Sequence, residues 1–256
     1  MSENPNTQGR ESLVWMENIT KKFGTITALQ DVNFGVERGE VRALLGDNGA
    51  GKSTLIKILM GVYQPTTGQI YFEGKPVRIR SPREARGIGI EAVYQDLALI
   101  NLMSISRNFF LGREMTKRFG PVQLLDKKGM ESICRNSLCD IGIEIRSPSE
   151  RVGSLSGGER QSIAIGRAVY FGVKVLILDE PTSALSVAET RKVLSYIENA
   201  RERNLAVIFI THNVHQVYMV ADSYSIIRQG HNVGTYRKGE LSEEDIADLI
   251  TGAREC

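Results

Sequence analysis

The sequence predicts an α/β fold: a mostly parallel sheet with helices on both faces and an inserted helical subdomain. Three observations carry this. Apolar runs of strand length alternate with stretches of helical spacing over most of the chain. A glycine-rich turn lies directly between an apolar strand at 41–45 and a helical run at 53–60. From Gln95 to about Arg151 the strand-like texture stops, and apolar residues fall at helical spacing, as at Met130, Ile133, Leu138 and Ile141.

Each element has its own local reason. Residues 13–19 and 32–36 read as short strands, and 41–45 as the strand entering the glycine turn. The helix at 53–60 closes at Gly61. Pro65-Thr66-Thr67-Gly68 is turn chemistry before a strand at 69–72, and Glu73-Gly74-Lys75 turns into a strand at 77–79. Ser81-Pro82 places a helix cap before a proline at the first helical position. Another strand follows at 90–94, then the helical insert, whose main helix Gly142 stops. A helical run at 159–169 comes after it. Strands at 173–178 and 206–210 flank a helix at 187–203, and strands at 223–228 and 232–236 flank a turn at Gly230. Ser242 with Asp245 forms a capping box for a last helix through Ile250. The sequence shows no internal repeat.

Composition narrows the class. A chain of 256 residues, 41% hydrophobic, suits one large domain with a real core. The 32 basic and 30 acidic residues nearly cancel, so no dominant nucleic-acid footprint is expected. No apolar run approaches the ~20 residues that span a bilayer, so any membrane role needs a partner. Residues 1–12 are polar and read as a loose tail. Cys134, Cys139 and Cys256 match no zinc spacing and read as reduced thiols.

The glycine turn, Gly46-Asp47-Asn48-Gly49-Ala50-Gly51-Lys52-Ser53, fits the phosphate-binding (Walker A) pattern. Glycines let the backbone approach closely, and successive N–H groups from Gly46 to Thr54 can wrap a triphosphate at a helix N-terminus. A helix dipole alone supplies only ~0.3–2 kcal/mol. Lys52 is therefore expected to reach the β and γ phosphates, and Ser53 to offer its hydroxyl to Mg2+.

An apolar strand at 175–178 ends in Asp179-Glu180, where ligands of open sheets bind. Adjacent residues face opposite ways, so the two acids can take different tasks. Asp179 is expected to hold the metal, and Glu180 to orient or deprotonate an attacking water. Far from the first loop, Leu155-Ser156-Gly157-Gly158-Glu159-Arg160 opens a helix with a serine cap and two glycines. It reads as a second anion grip, with N–H groups laid bare by the glycines. Two grips in one chain suggest a composite site made by two chains.

In this order, the phosphate loop, Gln95, the signature at 155–161, Asp179-Glu180 and His212 resemble the nucleotide-binding subunit of an ABC transporter. The resemblance covers about residues 13–252. It implies a P-loop NTPase core, an edge antiparallel β-subdomain and the helical insert at 95–151. It implies ATP and Mg2+, and a head-to-tail pair in which the signature of one copy (Ser156, Gly157, Gly158, Glu159) faces the triphosphate on the loop of the other. By the same resemblance Gln95 touches Mg2+ and water and links hydrolysis to the membrane partner, and His212 senses the γ-phosphate. Phe23 matches the aromatic that stacks on adenine; the alternative is a core phenylalanine. The apolar run at 97–111 divides between subdomain core and a groove for a membrane-domain helix.

Ser186 stands where the family usually has an acid that couples the two copies. Ser81-Pro82-Arg83-Glu84-Ala85 and Tyr94-Gln95-Asp96-Leu97 resemble bacterial monosaccharide importers of the ribose, xylose and fructose type. That implies permease subunits, a sugar-binding protein reached indirectly, and a place on the cytoplasmic face of the cell membrane. One cassette implies pairing with a copy of itself. Two rival readings stand beside it. One is a permease-free ABC-type ATPase of DNA repair or the ribosome. Repair members carry coiled-coil insertions and ribosomal members two cassettes, and neither pattern is seen. The other is a nucleotide-binding regulatory module with little turnover, against which Glu180 and His212 argue.

Overall fold

Twelve strands, eight α-helices and a short 3-10 helix (Val152–Ser154) order the residues described by the computed structural model, 12–253. The predicted tail, apart from Ser12, and Cys256 fall outside them. In chain order they are β1 (Val14–Phe23), β2 (Ile26–Val36), β3 (Val41–Leu45), α1 (Lys52–Leu59), β4 (Thr67–Phe72), β5 (Lys75–Val77), α2 (Pro82–Gly87) and β6 (Ile90–Val93). Then come α3 (Ile105–Phe109), β7 (Thr116–Phe119), β8 (Val122–Leu125), α4 (Lys127–Cys139), α5 (Gly157–Tyr170), β9 (Val175–Asp179) and α6 (Val187–Glu202). The chain ends with β10 (Ala206–Ile210), α7 (Val214–Val220), β11 (Ser223–Arg228), β12 (His231–Arg237) and α8 (Glu243–Thr251).

The chain divides into two compact units. Among the described residues, one comprises 12–92, Val173–Glu180 and 200–253; the other Val93–Gly172 and Pro181–Asn199. The second unit is wider than the 95–151 insert read from sequence, because α5 and most of α6 belong to it.

In the first unit a six-stranded sheet runs β12-β11-β3-β10-β9-β6, with β11, β3, β10 and β9 mutually parallel and β12 antiparallel to β11. Every residue of β10 is buried. A strand covered on both faces reads as a continuous apolar run, not as alternation. A separate antiparallel sheet, β2-β1-β4-β5, is the edge subdomain. Leu55, Ile56, Ile58 and Leu59 bury the inner face of α1 in a core shared with Leu44, Ile177, Ile208 and Ile210. Ser81 caps α2 by accepting the Glu84 N–H, and Ser242 with Asp245 forms the expected box at α8.

The second unit packs Phe109, Phe110, Tyr170 and Phe171 as one aromatic cluster, with ring centroids 4.9–6.2 Å apart. Thus the core share of the 97–111 run is Ile105, Phe109 and Phe110, while Leu102 is 82% exposed. One expectation fails here. The stretch after Gln95 is not helical throughout: β7 and β8 form an exposed hairpin around Gly120-Pro121. Phe119, Val122, Leu124 and Leu125 supplied apolar density without burial, and the Gly-Pro pair was the turn signal that should have outweighed it. Helix α7, starting at the Asn213 cap, also had no counterpart among the expected elements. Cys134 is buried, which pushes its thiol up to about 12, while Cys139 is exposed.

Candidate functional site

Strand register builds the site. Leu44 of β3 lies opposite Ile210 of β10, and Ile210 lies opposite Asp179 of β9. Three parallel strands therefore end level, and the segments that leave them meet at the carboxyl edge of the sheet. The glycine loop leaves β3, Glu180 leaves β9, and Thr211 and His212 leave β10.

The loop is held from below. Gly46 is pressed against the chain near the end of β11, so that a Cβ there would lie 2.1 Å from the Ile227 carbonyl oxygen. The tip is different: at Gly49, with φ +80°, a Cβ would meet nothing within 4 Å. The Asn48 and Ala50 amides donate to Asp47, at 2.7 and 3.1 Å, and shape the loop. No side chain caps α1 at Gly51, and the first-turn amides of a helix, here at Lys52, Ser53 and Thr54, have no acceptor within it. Ser53 is exposed beside them. Lys52 is buried, its ammonium donating to the Gly46 and Asp47 carbonyls at 2.7 and 3.0 Å. Desolvation holds the Lys52 pKa below its ordinary value, against the opposing pull of Glu180, Asp179 and Asp47. A polyanion at the loop relieves that cost.

Asp179 and Glu180 do have different surroundings. Desolvation first, then the charge of Glu180, raises the Asp179 pKa, with Lys52 and Lys57 opposing. Glu180 turns off the strand with φ +50° and anchors its N–H on the Ile210 carbonyl at 2.9 Å. Its Oε1 lies 2.9 Å from His212 Nδ1, and its Oε2 accepts the Thr211 hydroxyl at 3.4 Å. So the structure places His212 on Glu180 and adds Thr211, which the sequence reading missed. Phe23 is 41% exposed at the end of β1, not in the core. It packs edge-on to Tyr63 at 5.1 Å, with Lys21 Nζ 4.9 Å over its ring.

The remaining site residues belong to the second unit. Gln95 is exposed just after β6. Ser156 caps α5 in a full capping box with Glu159. The expectation that both signature glycines leave N–H groups bare needs correction: the Gly158 N–H donates to Glu189 Oε1 at 3.1 Å. Glu189 went unnoticed in sequence, although Ser186-x-x-Glu189 is itself a capping-box pattern.

No cluster of three or more His, Cys, Asp or Glu side chains able to hold a metal exists among the described residues. The donors fit Mg2+ all the same. That ion takes one or two protein oxygens and completes its shell with phosphates and water. Asp179 and Glu180, an acid pair with one raised pKa, form the kind of site that a cation relieves.

A family model described as ABC transporter matches residues 29–183. The chain belongs to the ABC transporter family. The cassette is 45% identical over 239 residues to the xylose/arabinose import ATP-binding protein XylG of Sulfolobus acidocaldarius, covering 93% of this chain and 94% of that one. It is 42% identical to the fructose import ATP-binding protein FrcA of Rhizobium meliloti, over 96% of both chains. Among solved structures it is similar to cbiO1 from Clostridium perfringens, part of the ABC transporter complex cbiONQ, with TM-score 0.78 and 25% identity over 95% of this chain and 96% of that one. The dimeric cassette MJ0796 shares the fold, at TM-score 0.72 and 23% identity, over 89% of this chain and 100% of that one.

Two of the three loop glycines of the cassette should respond differently to a methyl group. Gly46→Ala cannot be accommodated against the Ile227 carbonyl, so a marked fall in melting temperature is expected, with loss of nucleotide binding. Gly49→Ala meets no neighbour and carries only the left-handed backbone cost of roughly 1–2 kcal/mol. Thermal melts of the two variants side by side check this; equal losses would contradict it.

Proposed function

We propose that this cassette is the ATP-hydrolysing subunit of a monosaccharide importer, working as a pair of copies on the cytoplasmic face of a membrane beneath a permease. The observation that carries it is the convergence of the phosphate loop, Asp179, Glu180 and His212 on one sheet edge. The substrate class is supported by the relatives, which are named as xylose/arabinose and fructose import proteins over nearly the whole chain. The permease-free alternative has no comparable support.

ATP lies along the loop, its base against Phe23 and its phosphates on the amides of Gly46, Asn48, Gly49, Ala50, Gly51 and Thr54. Lys52 swings from the Gly46 and Asp47 carbonyls to the β and γ phosphates. Ser53 and Asp179 would hold Mg2+, which would supply charge neutralisation of the phosphates. Glu180 takes the proton of a water whose oxygen bonds to the γ-phosphorus as the bond from that phosphorus to the bridging oxygen breaks, and ADP and phosphate leave. Thr211 and His212 fix the carboxylate for that task. While Nδ1–H of His212 donates to Glu180, its Nε2 presents an N–H to the γ-phosphate only as the imidazolium. Ser156, Gly157, Gly158 and Glu159 of the second copy close over the same triphosphate. Ile100 and Leu102, both exposed, offer apolar surface to a permease helix. No helix among the described residues is long and apolar enough to cross a membrane, so the permease does the spanning and the sugar-binding protein acts through it.

Two substitutions test the chemistry. Lys52→Ala should lose nucleotide binding. Glu180→Gln should bind ATP yet turn over at least ~10²-fold more slowly, and undiminished turnover would remove Glu180 from the base role. A mild-detergent pull-down from membranes should recover a multi-span permease with a sugar-binding protein. Recovery of only soluble or ribosomal partners would favour the permease-free class.

A further inference from the structure

The second phosphate grip holds an anion that belongs to the chain itself. Oε1 of Glu189, in the first turn of α6, accepts the Gly158 N–H at 3.1 Å. Oε2 accepts the Ser186 amide at 3.0 Å and the Ser186 hydroxyl at 2.8 Å. The Ser186 amide and hydroxyl first, then the Ser156 hydroxyl and the Gly158 amide, hold the Glu189 carboxyl down to about 2. Glu189 is therefore a carboxylate at any working pH. Its approach depends on Gly158: a Cβ there would lie 2.7–2.9 Å from the Glu189 side-chain carbons. One signature glycine thus makes room for a side chain of its own chain.

Ser156 and Gly158 are also the groups that the proposed function assigns to the partner's triphosphate. A hydroxyl has one proton and an amide one N–H, so neither serves two anions at full strength. A carboxylate left beside an arriving phosphate also repels it. We propose that Glu189 is the specificity-determining residue of the second grip, a resident anion that the partner copy's triphosphate must displace before the pair can close. This rests on the reading of the signature as the grip for a partner's nucleotide.

The local structure lets one oxygen leave without undoing α6. Ser186 caps that helix, accepting the Glu189 N–H at 3.4 Å, and Oε2 completes the capping box. The carboxylate need only pivot about Oε2, which keeps its Ser186 bonds while those to Gly158 and Ser156 are released. A cavity of about 550 Å³ opens beside it, lined by Ser156, Gly158, Glu189 and Lys192. Lys192 lies three residues along α6, within side-chain reach of Glu189, and offers the displaced carboxylate a counter-charge. The serine at 186 matters for the same reason. Its hydroxyl donates to Glu189, whereas the usual acid, when ionised, has no proton to donate.

The test is an ATP titration of pairing, read by light scattering, in a Glu180→Gln background that keeps ATP intact. Glu189→Gln removes the charge. Glu189→Asp withdraws the carboxylate from Gly158 by one methylene, and Asp245 shows that aspartate completes such a box in this chain. Both variants should pair at an ATP concentration lower by on the order of threefold to tenfold, and the preference for ATP over ADP should shrink. An unchanged or higher ATP requirement, with Glu189→Asp melting as the parent does, overturns the proposal while leaving the pairing reading intact. A parent that never pairs at any ATP concentration sinks both.

Discussion

The alignment of Leu44, Ile210 and Asp179 across three parallel strands is the constraint on which the rest of the site depends. Parallel strands in fixed register end at one level. The loop after β3 and the acids after β9 can then act on a single ligand. A slip of one residue in β10 would move Thr211 and His212 away from Glu180, and the Glu180 amide from the Ile210 carbonyl. Burial enforces the register: every residue of β10 and all but the last of β9 are enclosed, so a slip would disrupt packing on both faces.

The two anion sites are built on opposite principles. At the phosphate loop, α1 has no side-chain cap, a lysine is held in the desolvated interior, and Gly49 faces open space. These three features favour an incoming polyanion, against the charge of Asp179 and Glu180, which Mg2+ would offset. At the signature, α5 has a complete capping box and its Gly158 amide rests on a carboxylate. In the proposed mechanism the first site loads nucleotide, and the second stays satisfied until a more strongly charged group competes for its donors, so that loading precedes pairing.

Much of this was legible in the sequence because burial on both faces writes itself as uninterrupted apolar runs, as at 206–210, and because the phosphate loop is local. Ser81, Ser156 and Ser242 announced their helices for the same reason: a cap and its partner lie three residues apart. What was not legible depended on contacts distant in sequence. His212 meets Glu180 across 32 residues, and Gly158 meets Glu189 across 31. Nothing in either segment alone states the meeting. The β7–β8 hairpin was missed for a different reason: its apolar residues stay exposed, so periodicity carried no information about packing, and only Gly120-Pro121 marked the turn.

In the proposed mechanism each working site is shared between two copies, loop from one and signature from the other. Mixing two inactive variants tests this most directly, one with Lys52→Ala and an intact signature, the other with Gly158→Asp and an intact loop. Their mixed pair contains one whole site. ATP hydrolysis should return on mixing and peak at equal proportions. Mixtures with no more turnover than the two parents added together would contradict a shared site.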